Sequence, residues 1–446
     1  MKRTAWAAAA VAVPAAGLAA VAAAPATLPL SVVVLSVDGL RPDHVLEANR
    51  RGLHLPNLRR FVLEGTHATG VAGVVPTVTL PSHTTQVTGA SPAAHGIVDN
   101  VPRDAADGVA WCAEDIRVPT LWDAAAERGW VTSSVEWPAT AGARITFNIP
   151  APWRTGTPGD QKVQRLMATP GLLSEAEAAV GTYPPGGDWT VATDVRRAAF
   201  NRYLIETRKP RLHLGYFSGL DDEEHYSGPF SPKALAALER IDGLIGELRA
   251  AAERNGPAVV AVVSDHGFQH THRELNLDEA LRGAGLIVAD AHGAIRSWRA
   301  RTWSAGGSAA VVLKDPADTE ARRAARRLLY GLLADPGSGV RRVLEDEELR
   351  ATGGFPGAAF VVGLKRGYRI GHSLGVPVAR AGEAHGTHGM LPDDTEMDAS
   401  FFVAGPGIPA GRSLGRIDMR DVAPTLAARL GLRLPRSEGR DLLAAR

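Results

Sequence analysis

The stretch A-V-V-A-V-V-S-D-H-G, Ala258–Gly267, decides how this chain is read. From Ala258 to Ser264 it is apolar almost throughout, as a central strand covered on both faces requires. Gly267 then breaks the run. Adjacent side chains on an extended strand point oppositely, so Asp265 and His266 can serve one ion only at such a break. A capping Asp beside a packed His is the competing local reading.

Two further runs of the same kind are Ser31–Val37 and Arg211–Phe217. Asp38 directly follows the first and Asp221 lies just beyond the second. Between the runs lie helical patterns, clearest over Lys233–Arg254, where Leu235, Leu238, Ile241, Leu244 and Leu248 recur at spacings of three and four. Alternating strands and helices predict an α/β fold with a mainly parallel central sheet and helices on both faces. Ligands of open α/β sheets gather at the carboxyl ends of strands. Three acids, each placed after a strand, therefore point toward one edge of one sheet.

Residues 281–382 read differently, with a helix over Thr319–Ala334, short strands and many Gly and Arg residues. They predict a smaller, cap-like α/β subdomain inserted into a core formed by 27–280 and 383–446. The core resumes before a terminal helix over Met419–Gly431 that ends at Gly431.

A chain of 446 residues, 45% hydrophobic and 22% charged, can build a large core. Its formal net charge of +1 gives no global field to attract nucleic acid or an anionic membrane. The basic start M-K-R, an apolar run to about Ala24 and the small residues Ala24–Ala26 predict a signal peptide over 1–26, hence export to the periplasm or medium. The run is interrupted by Pro14 and is short for a membrane span of roughly 20 residues, so no anchor is expected after cleavage. Cys112 is the single cysteine, which excludes an internal disulfide framework. It reads as a packed residue rather than a nucleophile.

Thr79 stands in P-T-V-T-L-P-S-H-T-T-Q-V-T-G. Pro81 fits the first turn of a helix and Gly89 its end, which predicts Thr79 just before the helix, where unpaired N–H groups and the positive dipole end would face a phosphate. A plain N-cap role is the competing reading. Asp221 and His225 are four apart, so one helical face presents both; Asp222, Glu223 or Glu224 could supply the carboxylate instead. His388 lies in the Gly-rich H-G-T-H-G-M. His95, His270 and His272 read as structural or exposed.

In order and type these segments resemble the nucleotide pyrophosphatase/phosphodiesterase branch of the alkaline phosphatase superfamily. The resemblance rests on V-V-V-L-S-V-D-G-L-R-P-D, the Thr79 block with S-P-A-A-H-G-I-V-D-N, D-D-E-E-H-Y-S-G-P, V-V-S-D-H-G-F and G-T-H-G-M. It runs from about Ser31 to the C-terminal A-P-T-L helix. It implies an alkaline phosphatase-like fold and two Zn2+ ions. Asp38, Asp265 and His266 would hold the zinc that activates the nucleophile Thr79. Asp221, His225 and His388 would hold the second. Asn100, with the Leu80 N–H alongside, would bind a phosphate oxygen. Departures from the family pattern are Leu80 where an aromatic is usual, Ser82 in place of Asn, Leu220 before Asp221, and Glu224 in place of Gly.

The chemistry implied is displacement at phosphorus on a small-molecule phosphate ester, through a phosphothreonine. A monoester's extra charge calls for another cation, from a third metal or an Arg or Lys; Lys162 and Arg165 are candidates, and the sequence assigns no partner. A diester needs an apolar face, which Leu80, Trp137, Phe147, Trp153 and Tyr183 could provide, although most of them read first as ordinary core. The expectation is therefore a phosphodiesterase. A phosphomonoesterase on the same scaffold is the alternative, and a non-catalytic metal-binding protein a weaker one. A sulfatase is disfavoured, because neither Cys112 nor Thr79 lies in a C/S-x-P-x-R setting.

Overall fold

The computed structural model describes residues 1, 29–101, 112–152 and 156–444. The leader beyond its first residue, and Trp153, lie outside the described residues. The three predicted runs form strands β1 (Ser31–Val37), β5 (Leu212–Phe217) and β6 (Ala258–Val263). With β2 (Thr66–His67), β3 (Thr132–Val135), β4 (Phe147–Ile149), β7 (Phe401–Ala404) and β8 (Arg412–Ser413) they make one sheet, in the order β8-β2-β7-β6-β1-β5-β3-β4. From β6 to β4 every pairing is parallel, and β7 pairs antiparallel with β6. The expected mainly parallel sheet is therefore observed.

Alternation along β1 explains why both faces are covered. Val32 and Val34 enter an apolar cluster with Val87, Val422 and Leu426. Val33, Leu35 and Val37 enter a second cluster with Phe61, Leu238, Ile241, Leu244 and Leu248. The last four sit on the apolar stripe predicted from spacing, on the long helix Pro232–Arg254.

Register brings the acids together. Val37 of β1 lies opposite Phe217 of β5, and Ser36 opposite Val263 of β6. The residues that leave these three adjacent strands thus start from one edge. Helix α1 (Thr79–Thr88) begins one residue earlier than expected: Thr79 is its first residue, Val78 occupies the cap position, and no side chain caps it. Gly89 ends it at φ +71°, and a Cβ there would lie 2.2 Å from Ser437 Oγ.

Within 281–382 an antiparallel sheet is built from Ala300–Ser304, Ser308–Leu313, Phe360–Leu364 and Val340–Glu345. One face packs on the helix Thr319–Ala334 through Ala321, Ala325 and Leu329, drawing in Leu275, Leu277 and Ala280 from before the stretch. The other face, through Trp303, Ala310, Val312 and Val361, packs on Val75 and Val78, just before Thr79. The terminal helix is split into a turn, Met419–Asp421, and a helix, Val422–Arg429.

Candidate metal centre and active site

Each side chain of the site is placed by a strand end or by the turn that follows it. Asp38 continues β1, and Asp265 and His266 follow β6 past Ser264. Asp221 and His225 share one face of helix α2 (Gly219–Ser227), which starts two residues beyond β5. His388 follows the strand Ala379–Thr387. Ligand atoms of Asp221, His225 and His388 lie within 4.8 Å of one another, and so do those of Asp38, Asp221 and His266. Asp221 thus belongs to both trios. Asp265 adjoins the second, with its Oδ2 3.2 Å from His266 Nε2.

The second layer orients the first. Nδ1 of His225 meets the Gly386 carbonyl at 3.3 Å, Nδ1 of His266 the Gly267 carbonyl at 3.2 Å, and Nδ1 of His388 the Thr77 carbonyl at 3.3 Å. A carbonyl only accepts, so Nδ1 carries the proton and Nε2 presents its lone pair, the tautomer a metal ligand needs. Asp38 accepts a hydrogen bond from Tyr216, and Asp265 Oδ1 accepts the Gly39 N–H at 3.2 Å.

Electrostatics sharpen the point. Burial, then the charge of Asp265, holds Asp38 well above the usual carboxylate range. Burial and the Asp38 charge do the same to Asp221, and burial pushes Asp265 to about 6. Burial holds His266 and His388 neutral, well below the usual imidazole range, and brings His225 down to about 4. Asp38 Oδ1, Asp221 Oδ1, Asp265 Oδ2 and His266 Nε2 are buried without a hydrogen-bond partner. Such atoms cost free energy unless something satisfies them. Three carboxylates, three neutral imidazoles and these orphaned acceptors fit divalent cations with mixed N/O ligands.

A cavity of about 410 Å³ opens onto this cluster, lined by Asp38, Asp221, His225, His388, Thr79 and Asn100 among others. Asn100 Oδ1 accepts the Leu80 N–H at 2.8 Å. That N–H therefore donates to Asn100 rather than into the cavity, and it fixes which way the amide points. Thr79 is also tied from behind: its carbonyl meets His83 Nδ1 at 2.8 Å, and His83 Nε2 meets Ser36 Oγ at 2.8 Å. His83 was missed by sequence reasoning, although it stands four residues after Thr79 on the same helix face.

The core reading of the apolar candidates is the one observed for the four described residues. Trp137 and Tyr183 are buried in the core, Leu80 packs on Ile97 and Ala139, and Phe147 is half-buried in another cluster. None of the four lines the cavity; Trp189, Val101 and Tyr216 do. Trp189 follows P-P-G-G-D in a loop with no periodicity to flag it, whereas Tyr216 was accessible from strand alternation. Neither cation candidate reaches the cavity: Lys162 is exposed, and Arg165 pairs with Glu177 at 2.9 Å. The buried cation nearby is Arg197, which contacts Ser218 of the cavity wall.

Of the other acids, Asp222 lines the cavity, while Glu224 is fully buried with Oε1 3.4 Å from His44 Nε2. His95 is buried against Thr85, and His270 and His272 are exposed. Cys112 is half-buried, and burial raises its thiol, which disfavours a thiolate.

The family model described as type I phosphodiesterase / nucleotide pyrophosphatase matches residues 32–390. An uncharacterized pyrophosphatase/phosphodiesterase of Schizosaccharomyces pombe is 29% identical over 283 residues, covering 58% of this chain and 50% of that protein. The human bis(5'-adenosyl)-triphosphatase is 25% identical over 271 residues, covering 59% and 53%. The chain thus spans about half the length of these relatives. The fold is shared with murine ectonucleotide pyrophosphatase/phosphodiesterase 5, solved as an inactive variant with AMP. That structure has a TM-score of 0.65 at 20% identity and covers 92% of this chain and 97% of the other.

Proposed function

The chain belongs to the type I phosphodiesterase / nucleotide pyrophosphatase family, and from that premise we propose that it is an exported two-zinc hydrolase cleaving phosphate diesters through a phosphothreonine on Thr79. One observation carries the reading: Thr79 opens into the same cavity as Asp38, Asp221, His225 and His388, whose acceptor atoms converge there.

Asp38, Asp265 and His266 would hold one zinc and Asp221, His225 and His388 the other, with the Asp221 carboxylate, common to both trios, also within reach of the first. When bound, the pair favours the alkoxide of Thr79 and neutralises charge on the phosphoryl oxygens. Thr79 Oγ attacks phosphorus and the bond to the departing alcohol breaks; the proton given up by Thr79 is balanced by the one that alcohol takes up, and Thr79 carries the phosphoryl group with its second substituent still attached. Water then attacks that phosphorus and restores the hydroxyl. The carbonyl of Thr79, held by His83, fixes the direction of attack. Asn100, its Oδ1 occupied by Leu80, offers Nδ2 to a non-bridging oxygen. Trp189, Val101 and Tyr216 offer the second substituent of a diester an apolar wall. Among the described residues no Arg or Lys lines the cavity, which favours a diester over a dianionic monoester. AMP in the murine structure and the dinucleotide named for the human relative are consistent with nucleotide diesters as substrates.

In this reading 27–280 and 383–446 form the catalytic core after loss of the 1–26 leader. The insertion 281–382 supports the Thr79 segment from behind, since among the described residues none of its side chains lines the cavity. The test is turnover of the zinc-loaded mature protein on matched aryl phosphate mono- and diesters, alongside Thr79→Ala. Diester preference, and turnover lost with metal retained, are expected; unchanged turnover in Thr79→Ala removes Thr79 from the mechanism.

A further inference from the structure

Helix α2 opens with two backbone N–H groups that its own residues leave to others: Ser218 is the cap residue, yet its side chain does not cap. Both groups go to one carboxylate from elsewhere in the chain. Asp194, on the helix Val191–Arg208, accepts the Ser218 N–H on Oδ1 at 3.2 Å and the Gly219 N–H on Oδ2 at 2.7 Å. The approach is so close that a Cβ on Gly219 would lie 2.7 Å from Asp194 Oδ2 and 2.6 Å from Val191 N. Asp194 is fully buried, and its charge is met by Arg197, 2% exposed, whose Nη1 is 3.3 Å away. That guanidinium also donates to Ser218 Oγ at 2.8 Å and to the Asp188 carbonyl at 3.1 Å. It pairs with Glu136 at 2.8 Å, and Glu136 in turn accepts from Tyr183 at 2.7 Å and Gln164 at 2.8 Å.

We propose that Asp194, held by Arg197 and Glu136, is the positioning residue for the Asp221 half of the metal centre. The inference rests on the two-metal reading above. Asp221 comes two residues after Gly219, and His225 one helical turn later. Any slip of the helix start moves both, and Asp221 serves both trios. A carboxylate offers two acceptors in one plane, which matches two successive N–H groups. An amide in its place offers one acceptor, and turns its own donor toward either an N–H or the Arg197 guanidinium.

The test uses the full mature chain with Asp194→Asn, and measures zinc affinity by competition with a chromophoric chelator. It also records the visible spectrum of the cobalt-substituted protein, with kcat and KM measured separately. Loss of a group bonded directly to a ligand weakens metal binding by about 10–100-fold; Asp194 acts one step further out, so about the lower end of that loss is expected for the ion held with His225 and His388, and a smaller loss for the other ion, which shares Asp221. An altered cobalt spectrum, and a fall in kcat with KM near the parent value, are expected with it. If Asp194→Asn does not fold, Gly219→Ala, whose Cβ would crowd both the Asp194 carboxylate and the Val191 backbone and so part the helix start from Asp194, takes its place with the same expectation. A folded variant with both ions at parental affinity and an unchanged cobalt spectrum overturns the proposal. A parent protein that binds no metal refutes the two-metal reading itself instead.

Discussion

Because Asp221 sits in both trios, its loss should count twice. A ligand that binds only the folded state stabilises it by about 2.7 kcal/mol per site at a hundred times its dissociation constant. Two independent sites then contribute about 5 kcal/mol. Unfolding entropy near 60 °C is roughly 2.1 cal/mol/K per residue, or ~0.9 kcal/mol/K for a chain of 446 residues. Saturating zinc should therefore raise Tm by about 6 °C over the chelated protein. His225→Ala, which touches only one trio, should retain about half of that shift. Asp221→Asn keeps the shape but removes a charged donor from both trios, so its shift should be close to zero. The assay is differential scanning calorimetry of the parent and both variants, each with zinc and with chelator. If Asp221→Asn keeps the same half-shift as His225→Ala, the shared role of Asp221 is wrong. If the parent shows no shift, the metal reading fails as a whole.

Further outcomes follow from other parts of the structure. Trp303 Nε1 donates to the Val101 carbonyl at 3.3 Å, tying the inserted sheet to the loop that carries Asn100. Trp303→Phe should raise KM for a diester a few-fold, with zinc affinity unchanged; steady-state kinetics and chelator competition check it. Asp265 is held at about 6 by burial. Its folded pKa exceeds the unfolded one, so in chelated protein its contribution to stability is lost as pH rises from about 4 to about 6. Zinc needs the carboxylate ionised, so affinity should instead rise over that window, and melting curves at each pH with and without zinc should converge toward pH 4. Leu238→Ala, in the core cluster beneath β1, should cost about 2–5 kcal/mol in denaturant titrations, while kcat stays near the parent value.

What could be read in advance was whatever depends on neighbours along the chain. β-Branched runs specify strands, the three-and-four spacing specifies the helix Pro232–Arg254, and an acid after each strand marks the active edge because parallel strands end together. Glycine punctuation placed the end of α1, although Thr79 proved to be its first residue rather than the one before. The wall of the cavity was not legible. Trp137 and Tyr183 look as suited to a substrate as Trp189, and only the packing of distant segments buries the first two and turns the third toward the site. Nor does any local pattern reveal that Asp194 reaches across to Ser218 and Gly219, or that Arg197 is buried between two acids. Ligand types and their strand-end positions are local properties of the sequence. The sharing of Asp221, the orientation of each imidazole by a remote carbonyl, and the choice of which aromatics face substrate depend on chain segments that meet only once the sheet has formed.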